Sequence, residues 1–276
     1  MATDWKEVDI TGIHVYRTGL NTGKPALALV HGFSDNGLCW APVARELEGE
    51  FEIVMPEARA HGKSARVERG QVIDQIDDLA NTLRALGIER GIVAGHSMGA
   101  GMAGQLAARY PAMVRALLLE DPPWRNFDSS GPTPRRIFDE NSPVAGWLRG
   151  LQAVSLDEAV EQCRTEHPTW PDMYLRPWTE GKQQLDLTFL ATENNSIGNW
   201  QDVVRAIQCP TLLVTADPAQ GGIITPEGAA EICAMNAHVR VAHFPSAGHH
   251  VRFAVHEPYM QTVRQFLAEV SAETVP

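Results

Sequence analysis

The pentapeptide Gly95-His-Ser-Met-Gly99 could carry nucleophilic chemistry through the hydroxyl of its central residue, Ser97. It stands between residues 91–95, an apolar run typical of a buried strand, and residues 98–110, a small-residue-rich run typical of a helix. A serine at such a sharp turn adopts strained backbone angles, and the flanking glycines let neighbouring chains pass closely. We therefore predict that Ser97 is a nucleophile presented at the end of a strand.

A serine hydroxyl is a weak nucleophile at neutral pH, so it needs a general base, for which histidine is the expected residue. Two adjacent candidates, His249 and His250, stand in the segment Ser246-Ala-Gly-His-His, between a predicted strand and the final predicted helix. His96 lies inside the serine motif, but its position at the end of a buried strand favours a packed ring. The residues alone leave His249 and His250 as alternatives.

The base in turn needs a carboxylate that fixes its tautomer and stabilises the imidazolium as it forms. Asp217 follows the apolar run 211–215, whereas Glu120 and Asp121 follow the apolar run that ends at Leu119. The local sequence Ala216-Asp-Pro218 is also typical of simple turn initiation. All three carboxylates are therefore candidates for the orienting acid.

Apolar runs and helical periodicity alternate along most of the chain, which predicts an α/β fold. Continuous apolar runs are typical of parallel strands that are covered on both faces. We predict an edge hairpin at 8–10 and 13–16, strands at 25–30, 51–55, 91–95, 114–119, 211–215 and 239–244, and helices at 73–86, 98–110, 226–235 and 263–270. The predicted fold class is therefore α/β, with a mostly parallel central sheet flanked by helices.

The alternation of strands and helices breaks between residues 122 and 200, where prolines and short turns punctuate the sequence. Five tryptophans fall in this stretch: Trp124, Trp147, Trp170, Trp178 and Trp200. Regular alternation resumes afterwards, so we interpret the stretch as an insertion into the α/β core. Tryptophans supply large, stiff apolar surface, which suits either a binding pocket or the insertion's own core.

The composition narrows the classes of partner. The formal net charge of −11 and the scattered basic residues disfavour nucleic acid, leaving a small molecule as the expected partner and the oligomeric state open. We expect no membrane span and a cytoplasmic location, because no apolar run approaches ~20 residues and the first residues resemble no secretory signal. The four cysteines are widely spaced, which argues against a zinc site or a redox motif: Cys39, Cys163, Cys209 and Cys233. We therefore expect four reduced, packed thiols, and no metal or cofactor.

These motifs together resemble the α/β-hydrolase superfamily, particularly its small, cap-bearing, cofactor-free members, over Val8 to Val270. The serine pentapeptide resembles the family's nucleophile elbow, and Leu29-Val-His-Gly-Phe33 resembles its early His-Gly turn. The segment Arg59-Ala-His-Gly-Lys-Ser64 is also similar to a family turn, with two departures. Glu57 stands where an aspartate is usual, and Ala60 where a glycine is usual.

The resemblance implies roles for individual residues. It implies that His249, which directly follows a glycine, is the base, and the family's order of serine, acid and histidine favours Asp217 as the acid over Glu120 and Asp121. It also implies that the backbone N–H of Phe33 contributes to an oxyanion hole. The N–H of Met98, at the start of the helix after Ser97, is the second expected donor.

The resemblance further implies an α/β-hydrolase core at 1–122 and 199–276, with 123–198 as an inserted helical cap or lid. The implied activity is that of a serine hydrolase, or carboxylesterase-like enzyme, cleaving an ester or lactone of a small to medium, partly hydrophobic substrate through an acyl-enzyme. Carbon–carbon bond hydrolysis, amide hydrolysis and perhydrolysis use the same triad and remain alternatives, as does a ligand receptor with residual hydrolysis. Ser97 disfavours dehalogenase and epoxide hydrolase chemistry, which uses an aspartate at this position.

Overall fold

A central sheet of eight strands organises the molecule. The computed structural model describes residues 5–18, 22–124, 139–194 and 199–272. The strands are β1 (Lys6–Ile10), β2 (Ile13–Arg17), β3 (Ala26–Val30), β4 (Glu52–Pro56), β5 (Val72–Ile73), β6 (Gly91–His96), β7 (Val114–Glu120), β8 (Glu193–Asn194), β9 (Thr211–Ala216) and β10 (Val239–Phe244). The main sheet has the order β1-β2-β4-β3-β6-β7-β9-β10, and β5 pairs separately with β8. Only the β1–β2 and β2–β4 pairings of the main sheet are antiparallel, among the residues described.

Helices cover both faces of this sheet. They are α1 (Ala41–Leu47), α2 (Gln75–Ala85), α3 (Met98–Arg109), α4 (Pro143–Gln152), α5 (Leu156–Glu166), α6 (Asp172–Gln184), α7 (Trp200–Ala206), α8 (Pro226–Met235), α9 (Val251–Ala254) and α10 (His256–Ala272). Along β3, Ala28 and Val30 pack with α2 and α3, whereas Leu27 and Leu29 pack with α1 and α10. Alternate side chains of a strand point to opposite faces, so each face buries its own apolar cluster. The predicted α/β fold class is confirmed.

The predicted helix at 73–86 begins later in the structure. Ile73 belongs to strand β5, and α2 begins at Gln75. Asp74 ends the extended segment because its carboxylate accepts hydrogen bonds from the N–H groups of Ile76 (3.0 Å) and Asp77 (3.1 Å). This N-cap satisfies two donors that an α-helix leaves unpaired, which sets the start of the helix.

Among the described residues, three helices, α4 to α6, lie between β7 and β8, within the stretch where the sequence predicts an insertion. Two parts of the predicted cap, residues 125–138 and 195–198, fall outside the described residues. Trp147, Trp170 and Trp178 pack in an apolar cluster with Cys39 and Phe253 of the core. The other two tryptophans of this stretch, at 124 and 200, pack against the main sheet cluster instead. The α4–α6 helices therefore have their own apolar cluster, which also docks them on the core.

No helix in the described ranges is long and apolar enough to cross a membrane. The four cysteines are free, and three of them, Cys39, Cys163 and Cys209, are buried as expected. Cys233 differs from the expectation of a packed thiol because its position on α8 leaves it exposed.

Candidate functional site

Ser97 lies at a strained turn between β6 and α3. Its backbone angles are φ 52° and ψ −118°, a conformation that residues other than glycine rarely adopt. A Cβ on Gly95 would lie 2.3 Å from the carbonyl oxygen of Gly99, and a Cβ on Gly99 would lie 2.3 Å from that of Val30. Both glycines are therefore required by close backbone contact, as the pentapeptide predicts. The turn is fixed from the next strand by the Ser97 N–H, which donates to the Glu120 carbonyl (2.9 Å).

His249 is held by the carboxylate of Asp121. The distance from Nδ1 of His249 to Oδ2 of Asp121 is 2.6 Å. The Asp121 side chain is fully buried, and its oxygens also accept from the N–H groups of Ile223 (2.8 Å) and Ile224 (3.1 Å). Because a carboxylate offers only acceptor atoms, we assign the shared hydrogen to Nδ1 of His249. The other ring nitrogen, Nε2, is then an acceptor, and the His249 side chain is a quarter exposed.

The structure places Asp121, and not Asp217, within hydrogen-bond distance of His249, whereas the sequence predicts Asp217 as the orienting acid. One carboxylate oxygen of Asp217 accepts from the N–H of Ala219 (2.9 Å), and the other accepts from the side-chain amide of Gln220 (3.0 Å). These hydrogen bonds lower the pKa of Asp217, and the bond from Gln220 has the larger effect. Asp217 thus caps the short 3₁₀ turn after β9, which is the turn role that Pro218 also favours. Asp121, one of the two alternatives, lies beside His249.

The other alternative acid, Glu120, forms a buried ion pair with Arg252. Their closest nitrogen–oxygen distance is 2.7 Å, and both side chains are fully buried. Glu120 also accepts from the backbone N–H of Arg252 (3.1 Å), and the guanidinium lies 4.1 Å from the ring centroid of Trp40. Because Arg252 lies in α9, directly after the His249 loop, this pair anchors the segment that carries His249.

Replacing Arg252 by methionine is expected to lower the free energy of unfolding by about 3–5 kcal/mol, because Glu120 would be left buried without its partner. Urea denaturation followed by circular dichroism measures this. The matched control, Arg264→Met, removes an arginine whose side chain is 40 % exposed, so a loss of less than about 1 kcal/mol is expected. Adding Glu120→Gln to Arg252→Met should restore most of the stability. A single variant as stable as the control would contradict a buried, energetically coupled pair.

The two histidines beside the catalytic candidates are packed. His96 is 1 % exposed, and burial, together with the charge of Arg252, lowers its pKa. The neutral ring donates from Nε2 to the carbonyl oxygen of His249 (3.1 Å). His250 accepts at Nε2 from the indole N–H of Trp178 (3.2 Å), and desolvation, with the nearby His96 and His249, holds its pKa well below the usual value. The Nε2 atom of His250 is thus engaged by Trp178 of α6.

The loop after β3 presents Phe33, and α3 begins at Met98. The imidazole of His31 fixes the loop, since it hydrogen-bonds the carbonyl oxygen of Gly32 (2.8 Å) and accepts from the N–H of Ala58 (2.9 Å). The ring of Phe33 stacks on that of Phe189, with centroids 6.1 Å apart. The N–H groups of the first turn of a helix have no partner within the helix, which makes that of Met98 suited to an oxyanion.

The turn at residues 57–64, which departs from the family pattern at Glu57 and Ala60, is held by hydrogen bonds to a buried carboxylate. Glu57 is fully buried and accepts from the N–H groups of Gly37 (3.0 Å) and Lys63 (2.8 Å). A Cβ on Gly62 would lie 2.2 Å from the Glu57 carboxylate, so glycine is required there. Ala60 has φ 71°, a conformation that glycine adopts at lower cost.

One group of side chains in the described ranges has spacing that could suit a metal. Asp35, His96 and His250 place one possible ligand atom each within 4.8 Å of one another. The ammonium of Lys182 already lies 2.5 Å from Asp35, so a cation here would sit beside a buried positive charge. The set of donors therefore fits a metal poorly.

Comparisons with known proteins agree with this architecture. The chain is 24 % identical to 2-(acetamidomethylene)succinate hydrolase of Mesorhizobium japonicum, over 88 % of each chain. It is 27 % identical to N-formylmaleamate deformylase of Pseudomonas putida, over 81 % of each chain. A solved structure of E-2-(acetamidomethylene)succinate hydrolase superimposes with a TM-score of 0.73 at 21 % identity, covering 96 % of this chain and 98 % of the other.

The profile of the alpha/beta hydrolase family matches residues 27–265 of this sequence. This range covers β4 to β10, all of β3 except its first residue, the Ser97 turn and the His249 loop. The sheet order, the strained serine and the profile match lead to one conclusion: the chain belongs to the alpha/beta hydrolase family.

Proposed function

We propose that the protein is a serine hydrolase in which Ser97 is the nucleophile, His249 the general base and Asp121 the orienting acid. The observation that carries this proposal is the 2.6 Å contact between Asp121 and His249. The strained backbone of Ser97 also supports it. In addition, the neighbouring His96 donates to the carbonyl oxygen of His249, which connects the Ser97 turn to the His249 loop. Backbone N–H groups of Phe33 and Met98 form the proposed oxyanion hole.

The proposed mechanism follows from the tautomer of His249. With the Nδ1 hydrogen bonded to Asp121, Nε2 takes the proton of Ser97 as its oxygen attacks the substrate carbonyl. The N–H groups of Phe33 and Met98 stabilise the negative oxygen of the tetrahedral intermediate. The carbonyl re-forms as the leaving group departs with the proton from His249, which leaves an acyl-enzyme. Water, deprotonated by His249, then attacks the acyl-enzyme, and Ser97 regains its proton when the acid product leaves.

We further propose a small to medium, partly hydrophobic acyl substrate. The names of both relatives denote compounds with an acyl group on nitrogen beside carboxylates, acetamidomethylene succinate and N-formylmaleamate. They favour amide hydrolysis over the ester or lactone hydrolysis expected from the sequence. Helices α4 to α6, which dock on the core through their own apolar cluster, would form the cap over this substrate.

The test combines covalent labelling with a substrate panel. A fluorophosphonate probe should add one label per chain, and peptide mapping by mass spectrometry should place the label on Ser97. The panel compares p-nitrophenyl acetate, a simple lactone and N-formyl and N-acetyl amides that carry a carboxylate. Label on Ser97 with faster amide turnover supports the whole proposal. Label on another residue would overturn the triad, and faster lactone or ester turnover would overturn the preference for amides.

A further inference from the structure

A buried ion pair joins α6 of the inserted segment to the loop that follows β3. Nζ of Lys182 lies 2.5 Å from Oδ1 of Asp35, and the two side chains are 3 % and 1 % exposed. Burial alone would raise the pKa of the Asp35 carboxyl, but the charge of Lys182 holds it well below its usual range. The same ammonium lies 3.9 Å from the ring centroid of Trp178, one turn earlier in α6. The pair is thus fully desolvated and part of a packed contact.

The backbone of α6 also lies directly against that loop. A Cβ on Gly181 would lie 2.9 Å from the carbonyl carbon of Asp35 and 3.0 Å from the nitrogen of Asn36. The side-chain amide of Asn36 donates to Gln184 (2.9 Å), at the last turn of α6. No space remains between the helix and residues 35–36. Since Phe33 precedes this contact by two residues, the position of the proposed oxyanion donor depends on α6.

A second contact connects α6 with the loop of the base. The indole N–H of Trp178 donates to Nε2 of His250 (3.2 Å). The rings of His250 and His96 are 4.7 Å apart, and His96 donates to the carbonyl oxygen of His249 (3.1 Å). One face of α6 therefore holds the loop of the oxyanion donor through Lys182 and the loop of the base through Trp178.

We propose that Lys182 and Trp178 are positioning residues of the hydrolase site, acting through Asp35 and His250 and not through contact with substrate. This inference rests on the proposed function, because it assumes that Phe33 and His249 act on an acyl group at Ser97. Catalysis is sensitive to small displacements, since a shift of about 1 Å can lower the rate about 100-fold. The inserted segment would then set the reaction geometry in addition to covering the substrate.

Two variants separate positioning from stability. Asp35→Asn with Lys182→Met removes both charges at similar volume, so no buried charge is left unpaired and the fold is retained. Trp178→Phe keeps an aromatic ring beneath Lys182 but loses the N–H donor to His250. For each variant, kcat with p-nitrophenyl acetate and the rate constant of fluorophosphonate labelling are expected to fall about 10- to 100-fold, with KM within about threefold. Thermal unfolding midpoints should stay close to that of the wild type.

The matched control is Trp147→Phe, a substitution in the same apolar cluster, which should leave kcat and labelling unchanged. Normal rates in a folded Trp178→Phe protein would overturn the inference, and so would losses that merely follow the folded fraction. Should the double variant fail to fold, Trp178→Phe decides alone. Ser97→Ala measured in parallel separates the two claims. If that protein turns over like the wild type, the proposed function itself fails, whereas an inactive Ser97→Ala with a fully active Trp178→Phe defeats only the positioning role.

Discussion

Replacing Ser97 by alanine is expected to lower kcat by about 10⁵- to 10⁶-fold, the range in which loss of a serine nucleophile removes covalent catalysis. The alanine cannot form the acyl-enzyme, so His249 has no hydroxyl to activate. Folding should be retained, because the substitution removes only the hydroxyl oxygen. The backbone N–H of residue 97 still donates to the Glu120 carbonyl. Initial rates on the best substrate of the panel, with active-site titration of the wild type, measure the loss.

The control is Ser246→Ala, which removes an exposed hydroxyl from the loop that carries the base and should leave kcat within about twofold. A Ser97→Ala protein with rates near those of Ser246→Ala would show that another residue attacks the substrate. Thermal unfolding of both variants establishes that the comparison concerns folded protein.

Asp121→Asn is expected to lower kcat by about 10⁴-fold, because an amide in place of the carboxylate favours the wrong tautomer of the base. The asparagine can present an N–H to Nδ1 of His249, so the ring hydrogen would move to Nε2, which then cannot accept the proton of Ser97. Asp217→Asn should change kcat by less than about threefold, because its carboxylate accepts hydrogen bonds from Ala219 and Gln220 of its own turn. Steady-state kinetics on the two folded variants give the comparison.

The contrast between the two aspartates is the informative quantity. A large loss in Asp217→Asn with a near-normal Asp121→Asn would restore the acid predicted from the sequence and contradict the geometry. Equal, small losses would mean that no carboxylate orients the base. Circular dichroism of Asp121→Asn is needed because Ile223 and Ile224 donate to the same carboxylate.

Most of the fold could be predicted from local pattern. The helix at Pro226–Met235 and the strand at Val239–Phe244 have the predicted bounds, and most other predicted strands shift by one residue at an end. Strand β1 begins two residues earlier than predicted, and the closing helix α10 begins seven residues earlier. The spacing of apolar residues indicates which residues are buried. This spacing differs between strands and helices, so the two kinds of element can be distinguished from the sequence. The start of α2 was missed because Asp74 caps the helix, and a cap outweighs apolar spacing over a single turn.

The acid could not be selected from the sequence because the choice depends on contacts distant in the chain. Asp121 and Asp217 both follow apolar strands, and only the folded sheet brings the end of β7 to the His249 loop, a separation of 128 residues. The Ala-Asp-Pro turn around Asp217 was a usable indication, since a residue that caps its own turn has few free acceptors. The contact of Lys182 with Asp35, 147 residues apart, left no local indication at all.

The long separation between Asp121 and His249 also bears on the order in which activity arises during biosynthesis. Ser97 and Asp121 follow β6 and β7, whereas His249 follows β10 and is made later. Local contacts form faster than distant ones, and chains begin to fold from their N-terminal part as they are made. A nascent chain that has emerged only as far as β9 therefore has the proposed nucleophile and the proposed acid but lacks the proposed base. Under the proposed mechanism, hydrolysis begins only when β10 has joined the sheet, so the onset of activity would mark completion of the fold.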